Sequence, residues 1–144
     1  MERERTLCII KPDAVGRIQE INRVLYVNRL NIIAQKVLLL SRGQACIFYS
    51  ENQGKYFFNR LTEFMSSGVI VAQVLEGDGA IGKYRKLLGD TDPAKAKKGT
   101  LRSLFGTGMP QNAVHGSADA EAALQEIHFF FSELDILEEY EWRM

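Results

Sequence analysis

At 144 residues, 46% hydrophobic and 25% charged, the chain has the length of one domain and enough apolar material for a buried core. Eighteen Lys and Arg balance eighteen Asp and Glu, so total charge argues for neither a nucleic-acid nor a membrane partner. The charged residues 1–6 lead into an apolar run at 7–10 that is too short for a signal-peptide core or a membrane span, which predicts a cytoplasmic protein.

Residues 7–11 read as a short buried strand stopped by Pro12, which cannot donate to a ladder and biases Lys11 away from helix. Lys11 therefore stands at a strand end. From Glu20, the residues Ile21, Val24 and Leu25 fall at helical spacing, with Arg23, Asn28 and Arg29 free to face solvent. Residues 31–40 are rich in β-branched and aliphatic side chains and predict a second strand. Two short helices follow over 42–49 and 57–65, the second with Phe57, Leu61 and Phe64 in one stripe. Residues 69–75 predict a third strand, and 80–88 a helix with Ile81, Tyr84, Leu87 and Leu88 on one side.

Residues 89–111 lack apolar periodicity and hold two of the three prolines with Gly99, Gly106 and Gly108, which predicts a long ordered loop. Its Lys95, Lys97, Lys98 and Arg102 favour a functional loop. Residues 112–115 predict a brief strand, and 119–131 a helix with Ala123, Ile127, Phe130 and Phe131 at helical spacing. Residues 132–144 form an acidic tail with Trp142 as an aromatic anchor. This order suits a single domain over residues 1–144, an α/β sandwich in which helices cover an antiparallel or mixed sheet. Cys8 and Cys46 show no metal or redox spacing and are expected to be reduced, buried thiols.

Gly77, Gly79 and Gly82 spell G-x-G-x-x-G between a strand and a helix, the context of a dinucleotide-binding turn. About 20 residues on, such a unit needs an acidic residue ending a second strand, and this chain has the loop carrying Arg102 instead. A phosphate-binding P-loop is nearly spelled as well, but Tyr84 stands where a Ser or Thr hydroxyl would meet magnesium. A tight turn built with glycine is the better reading.

His115 precedes Gly116 at the end of a predicted strand and before a helix. A neutral imidazole is nucleophilic near pH 7 and can take up and release a phosphoryl group. Lys11, Arg85 and Arg102 are cations suited to a polyphosphate, and phosphoryl transfer needs chiefly positioning and charge neutralisation. Taken singly, the histidine reads as a structural side chain and each cation as a solvated charge.

ERTLCIIKPDAV near the start, FMSSG followed by VLEG in the middle, and NAVHGS near the end lie in an order and at separations that closely resemble the nucleoside diphosphate kinase family. The resemblance runs over nearly the whole chain, and NxxHGS is its most specific part. It implies a ferredoxin-like α/β sandwich and a ping-pong transfer from nucleoside triphosphate to diphosphate. His115 would be the phosphorylated nucleophile and Glu126 would orient its ring. Lys11, Tyr49, Arg85, Thr91 and Arg102 would hold phosphates, Asn112 with Lys11 the sugar hydroxyls, and Phe57, beside Leu61, would stack on the base. Magnesium would be bound mainly through the nucleotide's phosphates, with no protein metal cage. A homo-oligomer is implied, and dimer, tetramer and hexamer all remain open.

Two departures stand out. Ala118 follows Ser117 where the family usually has Asp, leaving Asp119 as the nearest substitute carboxylate, and VGRIQEI is about two residues shorter than the family pattern. Reduced rather than absent activity is expected from Ala118. Rival readings are a catalytically weak relative that binds nucleotide or a protein partner, and a nucleic-acid-binding ferredoxin-like module. The retained His115, Lys11, Arg102 and Glu126 oppose the first, and the neutral charge without exposed aromatic strands opposes the second. His128, near the phenylalanines of the last helix, reads as structural.

Overall fold

The computed structural model describes residues 2–136, so Trp142 and most of the acidic tail fall outside the described residues. The elements run β1 (Arg3–Ile10), α1 (Ile18–Val27), β2 (Asn31–Leu38), α2 (Arg42–Phe48), α3 (Phe58–Met65), β3 (Ile70–Asp78), α4 (Ala80–Leu88), α5 (Leu101–Phe105), β4 (Val114–Gly116) and α6 (Ala120–Phe130). The sheet order is β2-β3-β1-β4 and every pairing is antiparallel. With α2 and α3 inserted between β2 and β3, and α5 before β4, the frame β1-α1-β2-β3-α4-β4 is ferredoxin-like, as expected.

β1 and β3 are the inner strands, and their alternating side chains feed two cores. Leu7, Ile9, Ala72 and Val74 pack with residues of α2, α3 and α6, while Cys8, Ile10, Val71 and Leu75 pack with residues of α1, α4 and α5. Burial on both faces is why these segments read as nearly continuous apolar runs. Gln73 is the polar exception on the α1 side, its amide nitrogen donating to Asn22 Oδ1 at 3.0 Å and Gln35 Oε1 at 2.8 Å.

Several boundaries differ from the sequence reading, each for a local reason. β1 begins at Arg3 because Arg3 and Arg5 pair with Glu76 on β3 at 3.0 and 2.9 Å along the solvent rim, and it ends one residue before Lys11. A 3-10 turn at Val15–Arg17 feeds α1, which starts at Ile18 rather than Glu20, so the shortened segment enters the helix directly. Residues 89–111 are not a bare loop, since they contain α5, capped by Thr100, whose Oγ1 accepts the Ser103 amide at 3.4 Å. Cys8 is buried as expected, but Cys46 is only half-buried. His128 is exposed on α6 rather than packed among the phenylalanines.

The glycine motif is a strand-to-helix turn. Gly79 takes φ 58° at the N-cap of α4, a left-handed conformation that glycine adopts without strain. Glu4 Oε1 accepts the Ile81 amide at 3.2 Å, so a carboxylate occupies the helix start where a bound pyrophosphate would need to sit. Among the described residues, no helix is long and apolar enough to cross a membrane.

Candidate active site

β4 is three residues long and lies at one edge of the sheet, paired with β1 through Cys8–Gly116, Ile9–His115 and Ile10–Val114. The turn before it is built tightly. Ala113 takes φ 75°, its amide donates to Asp13 Oδ2 at 3.1 Å, and its carbonyl accepts the Lys11 amide at 2.9 Å. A left-handed alanine costs about 1–3 kcal/mol and persists only where its surroundings enforce it. Here they bring Lys11, at the end of β1, beside the strand that carries His115.

His115 Nε2 lies 2.7 Å from Glu126 Oε1, and the same oxygen accepts the Ser117 hydroxyl at 2.9 Å. A carboxylate partner makes Nε2 the protonated nitrogen and leaves the Nδ1 lone pair as the free nucleophilic position. Burial is the main influence holding the imidazole below its usual pKa; the Glu126 bond opposes that shift, and Lys11 and Arg102 add to it. The ring is therefore neutral at physiological pH. Phe48 packs edge-on against it, with centroids 5.5 Å apart.

Lys11 is only 5% exposed, and its Nζ donates to Asn112 Oδ1 at 2.7 Å. Burial first, then the nearby Arg102, lowers its pKa to about 7, with Asp13 pulling the other way. Asn112 is oriented in turn by donating to the Thr91 carbonyl at 2.9 Å. Arg102 of α5 donates to the carbonyls of Val114, at 3.3 and 3.1 Å, and Gly89, at 3.2 Å. Arg85 of α4 donates to the Ser117 carbonyl at 3.4 Å. The Tyr49 hydroxyl is buried without a hydrogen-bond partner among the described residues, and burial chiefly raises its pKa.

These groups border a cleft of about 730 Å³, within the usual size range of small-molecule sites. Lys11, Tyr49, Phe57, Leu61, Arg85, Thr91, Arg102, Asn112, His115 and Glu126 all line it. Lys95, Lys97 and Lys98 do not; they are exposed charges on the far part of their segment. Asp119 is engaged as the N-cap of α6, its Oδ1 accepting the Ala122 amide at 2.8 Å, so it does not stand in for a carboxylate at Ala118, which lines the cleft as a bare methyl.

Sequence reasoning missed Arg60, which lines the mouth and donates to the Met109 carbonyl at 3.3 Å. Its spacing of three from Phe57 on a helical pattern was the available signal. Ser117 was also missed; its hydroxyl is visible in NAVHGS, but its bond to Glu126 is not. Gly116 has a steric reason to be glycine, because a Cβ there would lie 2.6 Å from Leu88 Cδ1 and 2.7 Å from Tyr84 Cε2. Gly116→Ala is expected to cost about 1–3 kcal/mol of stability through overpacking, read as a lower denaturation midpoint at unchanged slope. A neutral result would mean α4 can retreat freely from β4.

The family model for nucleoside diphosphate kinase matches residues 4–136. A nucleoside diphosphate kinase of the Wolbachia of Brugia malayi is 47% identical over 136 residues, covering 93% of this chain and 98% of its own. The solved nucleoside diphosphate kinase of Aquifex aeolicus superposes with a TM-score of 0.92 at 40% identity, over 94% of this chain and all (100%) of that one. The Halobacterium salinarum enzyme, solved in complex with CDP, gives a TM-score of 0.91 at 32% identity over 99% of both chains. With a matching family model, near-full-length relatives and the same fold, this chain belongs to the nucleoside diphosphate kinase family.

Proposed function

We propose that the protein transfers the terminal phosphoryl group of a nucleoside triphosphate to a nucleoside diphosphate in two steps through His115. In the first step the Nδ1 lone pair attacks the γ-phosphorus, the bond to the bridging oxygen breaks, and the diphosphate leaves with that oxygen. In the second, a β-phosphate oxygen of the acceptor attacks the same phosphorus, and the N–P bond breaks to restore the imidazole. The observation that carries this reading is the Nε2–Glu126 bond of 2.7 Å, which leaves Nδ1 as the free nitrogen in a cleft lined by Lys11, Arg85 and Arg102.

Glu126 steadies the positive charge that develops on the ring, while the three cations neutralise the migrating group. Phe57 and Leu61 at the mouth suit a stacked base, and stacking tolerates purines and pyrimidines alike. Lys11 and Asn112 suit the sugar hydroxyls, and Tyr49 and Thr91 the phosphates. The donor set fits magnesium that arrives on the nucleotide, because Glu126 already serves His115 and Ser117. Bound in that way, the ion would supply charge neutralisation on the phosphates.

The chain is read as one domain, supported by its continuous sheet. It is read as a homo-oligomer from the family resemblance, and β2 is an edge strand with Val37, and Leu39 just past its end, exposed, a surface that a second copy would cover. A cytoplasmic setting agrees with two unpaired cysteines.

The test is to incubate the protein with γ-labelled ATP and magnesium, isolate acid-labile phosphoprotein, and chase with CDP. Label on the protein that moves quantitatively into CTP is the expected result. A protein that binds ATP but takes no label would overturn the transferase reading in favour of a nucleotide-binding relative.

A further inference from the structure

Tyr84 lies outside the lining of the cleft, yet it is the largest fully buried side chain among the described residues. Its hydroxyl donates to the backbone carbonyl of His115 at 2.8 Å. Its ring lies where a Cβ on Gly116 would come within 2.7 Å, so it sits flush against the backbone next to the nucleophile. Cys8, the residue paired across the sheet with Gly116, is buried in the same cluster as Tyr84.

β4 needs such support, since it is a three-residue edge strand that pairs with β1 alone. Three side chains hold carbonyls along it and just beyond: Arg102 at Val114, Tyr84 at His115 and Arg85 at Ser117. In the reading proposed above, both arginines also meet the phosphates, so their grip on the backbone is shared with substrate. Tyr84 does not itself line the cleft and carries no charge to share. We infer that Tyr84 is a positioning residue for the nucleophile, a strut from α4 that fixes the His115 peptide, and with it the stance of Nδ1, whether or not nucleotide is bound. This rests on the phosphohistidine reading for its catalytic consequence, while the strut itself is a property of the fold.

The test is Tyr84→Phe in the full chain, which keeps the ring against Gly116 and removes only the hydroxyl. Single-turnover labelling from saturating γ-labelled ATP is expected to slow about tenfold, because small displacements of a reacting atom are costly, while the dissociation constant for ADP stays within about twofold. Amide exchange at residues 114–117 is expected to quicken while β3 keeps its protection. A merely structural tyrosine would instead lower the melting temperature and loosen β3 together with β4, without slowing turnover at full occupancy. A labelling rate within about twofold of wild type, or exchange that rises equally in β3 and β4, overturns the inference. If wild type takes no label, the function proposed above falls, and the exchange measurement alone decides the strut: faster exchange confined to 114–117 upholds it, and unchanged exchange overturns it.

Discussion

Alanine at position 115 is expected to remove all phosphoprotein and to lower nucleotide-to-nucleotide transfer by roughly 10⁴-fold or more, the scale seen when a covalent nucleophile is deleted. The substitution takes away the one imidazole of the cleft and leaves its cations in place. ADP should therefore bind about as well as before, within a factor of about three, because Lys11, Arg85 and Arg102 are untouched. Glu126 keeps the Ser117 hydroxyl at 2.9 Å and should not collapse the site. A coupled transfer assay and equilibrium ADP binding on the same preparation check both halves. Persisting label would move the nucleophile elsewhere, and joint loss of transfer and binding would mean the imidazole holds the cleft open.

Lys11→Met is expected to lower kcat/KM by roughly 10²-fold or more through lost charge stabilisation, and to do so without unfolding the protein. Methionine fills a similar volume, and Asn112 keeps its bond to the Thr91 carbonyl. The wild-type ammonium is a strained guest: its pKa falls from 10.5 to about 7, mainly through burial, with Arg102 adding to the effect. An unfolded chain keeps that proton up to its ordinary value, so between about pH 7 and 10.5 the unfolded state binds more protons than the folded one. Wild-type stability should rise with pH through that window relative to Lys11→Met, whose curve lacks this contribution.

Polyphosphate reverses the preference. Its negative charge favours the ammonium, so binding ADP at pH 8 should draw in a proton, seen as a binding enthalpy that depends on the ionisation enthalpy of the buffer. Buffer-independent enthalpy at pH 8 would show that Lys11 does not change its charge when ADP binds.

Long, periodic or doubly buried segments were legible in the sequence. The inner strands show as apolar runs, and α4 and α6 as helical stripes, because burial writes itself into residue type. The five residues of α5 were not legible, since Leu101 is its one buried residue and a single turn leaves no period to read. Lys95, Lys97 and Lys98 carry the same charge as Arg102 yet remain solvated. What separates them is that Arg102 sits on α5, within reach of the Val114 carbonyl, a fact of three-dimensional placement. Ten of the cleft residues could be named from a family resemblance, whereas Tyr84 showed only as one member of an apolar face. Its hydroxyl finds a partner 31 positions away, and no local pattern records that.

The strand order has a consequence for how the chain is made. β1 lies between β3 and β4, so Ile10 is synthesised long before Val71, and Ile9 long before His115, their eventual neighbours. As the chain leaves the ribosome, the stretch Leu7–Cys8–Ile9–Ile10 has no edge to join until β3 emerges, and it is an apolar strand of the kind that misassembles or is held by chaperones. The strand that carries His115 leaves the ribosome after the other three, and Glu126, whose carboxylate lies 2.7 Å from its Nε2, emerges later still. A nascent chain can thus hold three of its four strands while the His115–Glu126 pair does not yet exist.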